Sequence, residues 1–233
     1  MILPLHDDNP TRTRPVVTIA LIVACVLVFI WELSGGSEGA QRIIYSLGAI
    51  PAVLLGHRAL PPDLAVMPPI FSVVTSMFLH GGLWHLLGNM LYLWIFGNNV
   101  EDAMGHGRFI VFYLICGVAA VLAQALPHPE STVPMVGASG AISGVLGAYM
   151  LLYPHARVLL GLPLGFFIVQ LGRFRAVWVL AAWFGMQLVM NLLASSDEAQ
   201  GGVAFRAHIG GFVAGMTLIP FMKHRYVKLW KRR

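Results

Sequence analysis

Charge is what this chain has least of. Only 11% of its residues are Asp, Glu, Lys or Arg, while 58% are hydrophobic and the mean hydropathy is +0.76. Soluble domains carry about 25% charged residues, so a water-soluble globule is excluded and most of the chain belongs inside a bilayer. Cysteine is nearly absent. Cys25 and Cys116 both lie in apolar runs. They form no disulfide framework and no metal-ligand spacing, and they read as small core residues. Internal repeats are missing, which counts against an inverted-repeat transporter. Acidic residues are missing from the interiors of the apolar runs, because Glu32, Glu101 and Asp102 stand at run ends. No carboxylate is left for a proton relay or a cation pathway.

What is present is a series of apolar runs long enough to cross a membrane, which takes roughly 17–25 residues. The predicted spans are 16–33, 82–99, 109–126, 138–153, 176–194 and 205–222. The fourth is slightly short, as suits a helix whose start is sunk below the surface. The first follows "TRTRP" with no small-residue cleavage site after it, and reads as a signal anchor. Val158–Leu171, "VLLGLPLGFFIVQL", is short and broken by Gly161, Pro163 and Gly165. Arg157 precedes it and Arg173 and Arg175 follow, so both ends are expected on one side, as a re-entrant or interfacial segment.

The net charge of +5 reads as a topology signal and not as a nucleic-acid footprint. With the N-terminus inside, 12 of the 15 basic residues are cytoplasmic, and only Arg42, Arg58 and Arg206 fall outside. The proline-rich connection 34–81 is then an outer loop, expected to lie in or on the outer leaflet. The expected fold class is all-α: a polytopic six-transmembrane-helix bundle with an interfacial first outer loop. Its parts are a cytoplasmic N-terminal segment (1–15), the membrane domain (16–222) and a basic cytoplasmic tail (223–233) that meets anionic lipid. The short N-terminus, without a transit peptide, points to a bacterial inner membrane.

Few polar groups remain in the spans, and each is a functional candidate. Spans two, four and six run in the same direction. His85, Ser139 and His208 lie near their starts, at similar depth, with Asn89 one turn after His85 on the same face. Gly140 and Gly144 in span four, and Gly211 and Gly215 in span six, are small-xxx-small steps that let helix backbones approach closely. Contact along those faces would bring Ser139 and His208 within hydrogen-bond reach. A serine needs a base to become a nucleophile, and His208 is the candidate. With no carboxylate to orient it, the expectation is a dyad. Oxyanion donors are available from the N-terminus of span four and from His85 and Asn89. Gln187 and Asn191 in span five read as helix-packing amides.

These residues resemble the rhomboid family of intramembrane serine proteases. "GASG" at 137–140 is similar to the family's GxSG motif, "HGGLWHLLGN" at 80–89 to its HxxxxHxxxN element, and "AHIGGFVAG" at 207–215 to its AHxxGxxxG. The resemblance covers residues 71–216. It implies Ser139 as nucleophile, His208 as base, His85, Asn89 and Ser139 as oxyanion donors, and His80 as a nearby structural histidine. Gly137 and Gly140 are the motif glycines. It also implies a six-helix core, no metal or other cofactor, and transmembrane protein substrates cleaved near the outer membrane boundary. Two positions depart from the family pattern. "IFSVVTS" carries no Trp-Arg pair, which bears on loop anchoring. Ser143 stands where an aromatic residue often packs against the base, and it is a minor rival nucleophile. A non-catalytic relative usually lacks the Ser or the His, and both are present here.

Overall fold

The computed structural model describes residues 2–165, 167–193 and 204–230. Helices dominate. After a short strand β1 (Leu3–Asp7) come α1 (Val16–Ser34), α2 (Gly36–Leu47) and the single turns α3 (Pro51–Leu54) and α4 (Ser72–Thr75). A continuous helical run then passes through α5 (Leu83–Tyr92), a π turn (Leu93–Gly97) and α6 (Asn98–Met104). α7 (His106–Ala125), α8 (Ser139–Leu152), the hairpin β2 (Arg157–Leu164) and β3 (Phe167–Arg175), α9 (Ala176–Leu193) and α10 (Phe205–Met222) complete the chain. Of these helices α1, α7, α9 and α10 are long and apolar enough to cross a membrane.

α8 is the axis of the bundle. Eleven of its 14 residues are buried, and at about 1.5 Å per residue it is only about 21 Å long. It crosses α10 along the glycine faces expected from sequence. A Cβ on Gly211 would overlap the carbonyl oxygen of Gly140, and one on Gly215 that of Gly144. Gly147 meets the carbonyl of Phe212 in the same way. The two backbones therefore touch with no side chain between them. Lipid supplies no hydrophobic force between helices, so this close van der Waals fit is what holds them.

The carboxylates at the run ends act as fasteners. Glu101, fully buried, accepts the backbone N–H groups of Val17 (2.9 Å) and Thr18 (2.8 Å) and the Thr18 hydroxyl (2.6 Å). It thereby satisfies two of the leading N–H groups of α1, which have no partner within the helix. His106 Nδ1 meets the same carboxylate at 2.6 Å. Asp102 holds the backbone and hydroxyl of Thr13. Glu32, also buried, accepts the His80 backbone N–H at 3.1 Å.

The all-α expectation needs correction, because the fold is mostly helical with a small antiparallel sheet, ordered β1-β2-β3. Residues 158–171 are not a re-entrant segment but most of a β-hairpin, with Arg157 opposite Arg175 and Leu164 opposite Phe167. Its turn is made at Gly165, with φ +62. The arginines at its two ends do lie side by side. β1 adds from the N-terminus, with Asp7 opposite Val158. Asp7 is buried, and its carboxylate accepts the Tyr149 hydroxyl of α8 at 2.5 Å. From the other terminus, Trp230 N–H donates to the Leu151 carbonyl at 2.8 Å. Both described termini are thus attached at the end of the bundle where α8 stops, opposite Ser139.

Candidate active site

Ser139 is the first residue of α8, and no side chain caps that helix end, so its leading N–H groups are unclaimed by a cap. The approach to it depends on glycine. Gly137 has φ +120, and a Cβ there would lie 2.7 Å from the His85 ring and 3.6 Å from Asn89 Nδ2. Removing the side chain lets both groups press against the backbone just before the serine. Gly140 does the same on the other side, where a Cβ would lie 2.5 Å from that of Ala120 in α7. Gly137 N–H donates to the Ser76 carbonyl at 2.8 Å, and Met135 pairs with Ala49. These bonds tie the motif to the 34–81 connection.

The backbone contact between α8 and α10 brings Ser139 Oγ to 2.9 Å from His208 Nε2. The ring's other nitrogen, Nδ1, is 2.8 Å from Gln187 Oε1 of α9. Trp183, one turn before Gln187, lies against the same ring with centroids 5.9 Å apart. Ser143 is buried, and its hydroxyl donates to the Ser139 carbonyl at 2.6 Å. Its proton is committed to the backbone, and no described contact joins it to His208.

His85 and Asn89 flank Gly137 as one face of α5. Asn89 is buried, and its Nδ2 has no hydrogen-bond partner, so a strong donor is left facing the motif. His80 is buried behind His85, edge to face at 5.3 Å, with its Nδ1 at 3.1 Å from the Phe78 carbonyl. A cavity of about 40 Å³ opens beside Ser139, lined by Met77, Gly117, Ala120, Val121, Met135 and Gly140 among others. Among the described residues no cluster of His, Cys, Asp or Glu has the makings of a metal site.

The sequence-predicted residues Ser139, His208, His85, Asn89, Gly137 and Gly140 therefore come together. His80 lies in the next layer, and the Ser143 hydroxyl is bonded to the Ser139 carbonyl and not to His208. Gln187 does join two helices, as its reading as a packing amide expected, and the partner of its oxygen is the Nδ1 of His208. Its spacing from Trp183 put the two on one face, but no sequence signal said which helix that face meets.

The Rhomboid domain family model matches residues 69–225. The chain is 33% identical over 167 residues to Rhomboid protein 1, mitochondrial, of Saccharomyces cerevisiae, covering 70% of this chain and 44% of that protein. It is 32% identical over 138 residues to Rhomboid protease GluP of Bacillus subtilis, covering 59% and 24%. It is 27% identical over 202 residues to Rhomboid protease GlpG of an Enterobacter species, covering 86% and 61%. The chain spans less than two thirds of the length of each of these three relatives.

Proposed function

The chain belongs to the rhomboid family, and from that premise we propose that it is an intramembrane serine endopeptidase cleaving transmembrane-anchored proteins near the outer membrane boundary. Ser139 Oγ adds to the scissile carbonyl carbon while His208 Nε2 takes its proton. The oxyanion is met by backbone N–H groups at the start of α8 and by His85 and Asn89. Collapse expels the amine, which takes the proton from His208, and leaves an ester on Ser139. Water then adds to the ester, with His208 again accepting and returning a proton, and the carboxylic acid leaves.

The observation that carries this reading is the 2.9 Å contact between Ser139 Oγ and His208 Nε2, made at a helix N-terminus with unclaimed donors. The unpartnered Nδ2 of buried Asn89 supports an oxyanion wall on the α5 side. The cavity that opens beside Ser139 offers a place for a substrate side chain next to the nucleophile. In this reading the run 83–104 and α8 join the four long apolar helices to make six crossings. Both ends are cytoplasmic, following the basic residues, and α2 lies along the outer leaflet.

The test is cleavage of a single-span substrate in liposomes by wild type, Ser139→Ala and His208→Ala. Loss in both variants, with helix content and thermal unfolding retained, is expected. Cleavage that persists in Ser139→Ala refutes the assignment.

A further inference from the structure

We propose that Gln187 is the positioning residue of the base: its amide oxygen fixes the tautomer and orientation of His208, so that the Ser139–His208 pair is held by a third side chain that does not itself react. This rests on the serine-protease reading above. His208 has two ring nitrogens and both are engaged: Nε2 at 2.9 Å from Ser139 Oγ and Nδ1 at 2.8 Å from Gln187 Oε1. A neutral imidazole carries one N–H, and the partner of that N–H fixes the tautomer. For Nε2 to accept the serine proton, the ring hydrogen must be on Nδ1. An amide oxygen facing Nδ1 holds it there. The reverse amide orientation would offer an N–H to Nδ1, drive the ring hydrogen onto Nε2, and leave no lone pair for Ser139.

Burial sharpens the case. Gln187 is 4% exposed, and it is the one polar member of the three buried residues of α9, the others being Ala176 and Leu180. A buried amide is costly unless paired, and its oxygen is paired with the base. Trp183 closes the same ring from one turn away. α8 contributes no such support, because Ser143 is bonded to its own helix. A carboxylate would stabilise the imidazolium more, but a charge within a span is costly. An amide orients the ring without one.

The experiment compares Gln187→Met and Gln187→Glu with wild type in proteoliposomes containing a single-span substrate, with Ser139→Ala in parallel. Gln187→Met keeps the length and removes the acceptor. Its kcat should fall roughly ten- to a hundredfold, the range seen for the outer-shell partners that orient metal-ligating histidines, with KM unchanged. Gln187→Glu keeps an acceptor and should recover part of that loss. It should also move the acidic limb of the kcat–pH profile to higher pH, because a carboxylate favours the imidazolium. Wild-type kcat and pH profile in Gln187→Met would overturn the proposal, as would equal loss in both variants at every pH. A second readout does not depend on any variant folding. Nitrogen-15 spectra of the histidines in the wild-type protein should show His208 protonated at Nδ1, and an Nε2-protonated ring would overturn the proposal. Cleavage by Ser139→Ala would instead strike at the protease reading, while a dead Ser139→Ala beside a fully active Gln187→Met would strike only at Gln187.

Discussion

α8 and α9 stand on either side of His208 and are built by opposite means. α8 buries 11 of 14 residues and meets α10 glycine against glycine, backbone on backbone. α9 buries three of 18 and reaches His208 through the long side chains of Trp183 and Gln187. The position of Ser139 is therefore set by main-chain geometry, which has no rotamers to choose among. The orientation of the His208 ring is set by side chains, which do. A fault in the first should remove the bundle; a fault in the second should leave the bundle and degrade the chemistry.

The same substitution on the two helices tests the contrast most severely. At Gly215→Ala the new methyl overlaps the Gly144 carbonyl oxygen, which cannot move without opening the seam. Folded protein and activity should both be lost, as read by size-exclusion profile and cleavage. At Gly185→Ala in α9 the methyl meets nothing within 4 Å. The helix should gain about 0.5–1 kcal/mol with cleavage unchanged. Equal tolerance at both sites would abolish the distinction.

A smaller but still large effect is expected at Gly137→Ala. Its Cβ would fall 2.7 Å from the His85 ring, in a residue at φ +120. The backbone strain is about 1–3 kcal/mol, so most of the bundle should survive. The displaced His85 should lower kcat about a hundredfold or more, in the range seen when an oxyanion donor is removed. Retained kcat would remove His85 from the site. Next is Trp183→Ala, which takes away the flank of the His208 ring and leaves the Gln187 bond. A several-fold fall in kcat with an unaltered unfolding temperature is expected; a lower unfolding temperature with full kcat would make Trp183 a packing residue only.

The smallest effect is far from the chemistry. Burial raises the carboxyl pKa of Asp7 above its ordinary value, with the Tyr149 hydrogen bond partly opposing. A carboxyl that holds its proton more tightly when folded stabilises the fold most at low pH, below its unfolded pKa of about 3.9. That contribution is lost as pH rises through the elevated value. Asp7→Asn should therefore raise the unfolding temperature near pH 7 more than near pH 4, by a degree or two. An equal shift at both pH values would show that Asp7 is not strained by its burial.

The site was legible in the sequence to the extent that it depends on local spacing. The i, i+4 relation of His85 and Asn89, the glycines flanking Ser139, and the two small-residue stripes each state a face, and helix geometry does the rest. Gln187 depends on which neighbour that face of α9 meets, which spacing cannot state. The hairpin escaped for a related reason. A short apolar run broken by glycine and proline has no period that separates a strand from an interfacial segment. What makes it a strand is β1, a five-residue segment roughly 150 positions earlier, whose Asp7 is bonded to Tyr149 of α8. The carboxylates Glu32, Glu101 and Asp102 are visible in the sequence, but the work each does is tertiary: Glu101 bonds the start of α1, Glu32 the His80 N–H and Asp102 Thr13.

The length of α8 has one more consequence. A hydrocarbon core about 30 Å thick exceeds this roughly 21 Å helix by about 9 Å. With its far end anchored at the interface by the sheet, the proposed orientation recesses Ser139 by that difference. A helical substrate descends about 1.5 Å per residue, so 9 Å corresponds to about six residues from the lipid boundary. The protein would then act as a depth gauge, choosing its peptide bond by vertical position first and by side chain second.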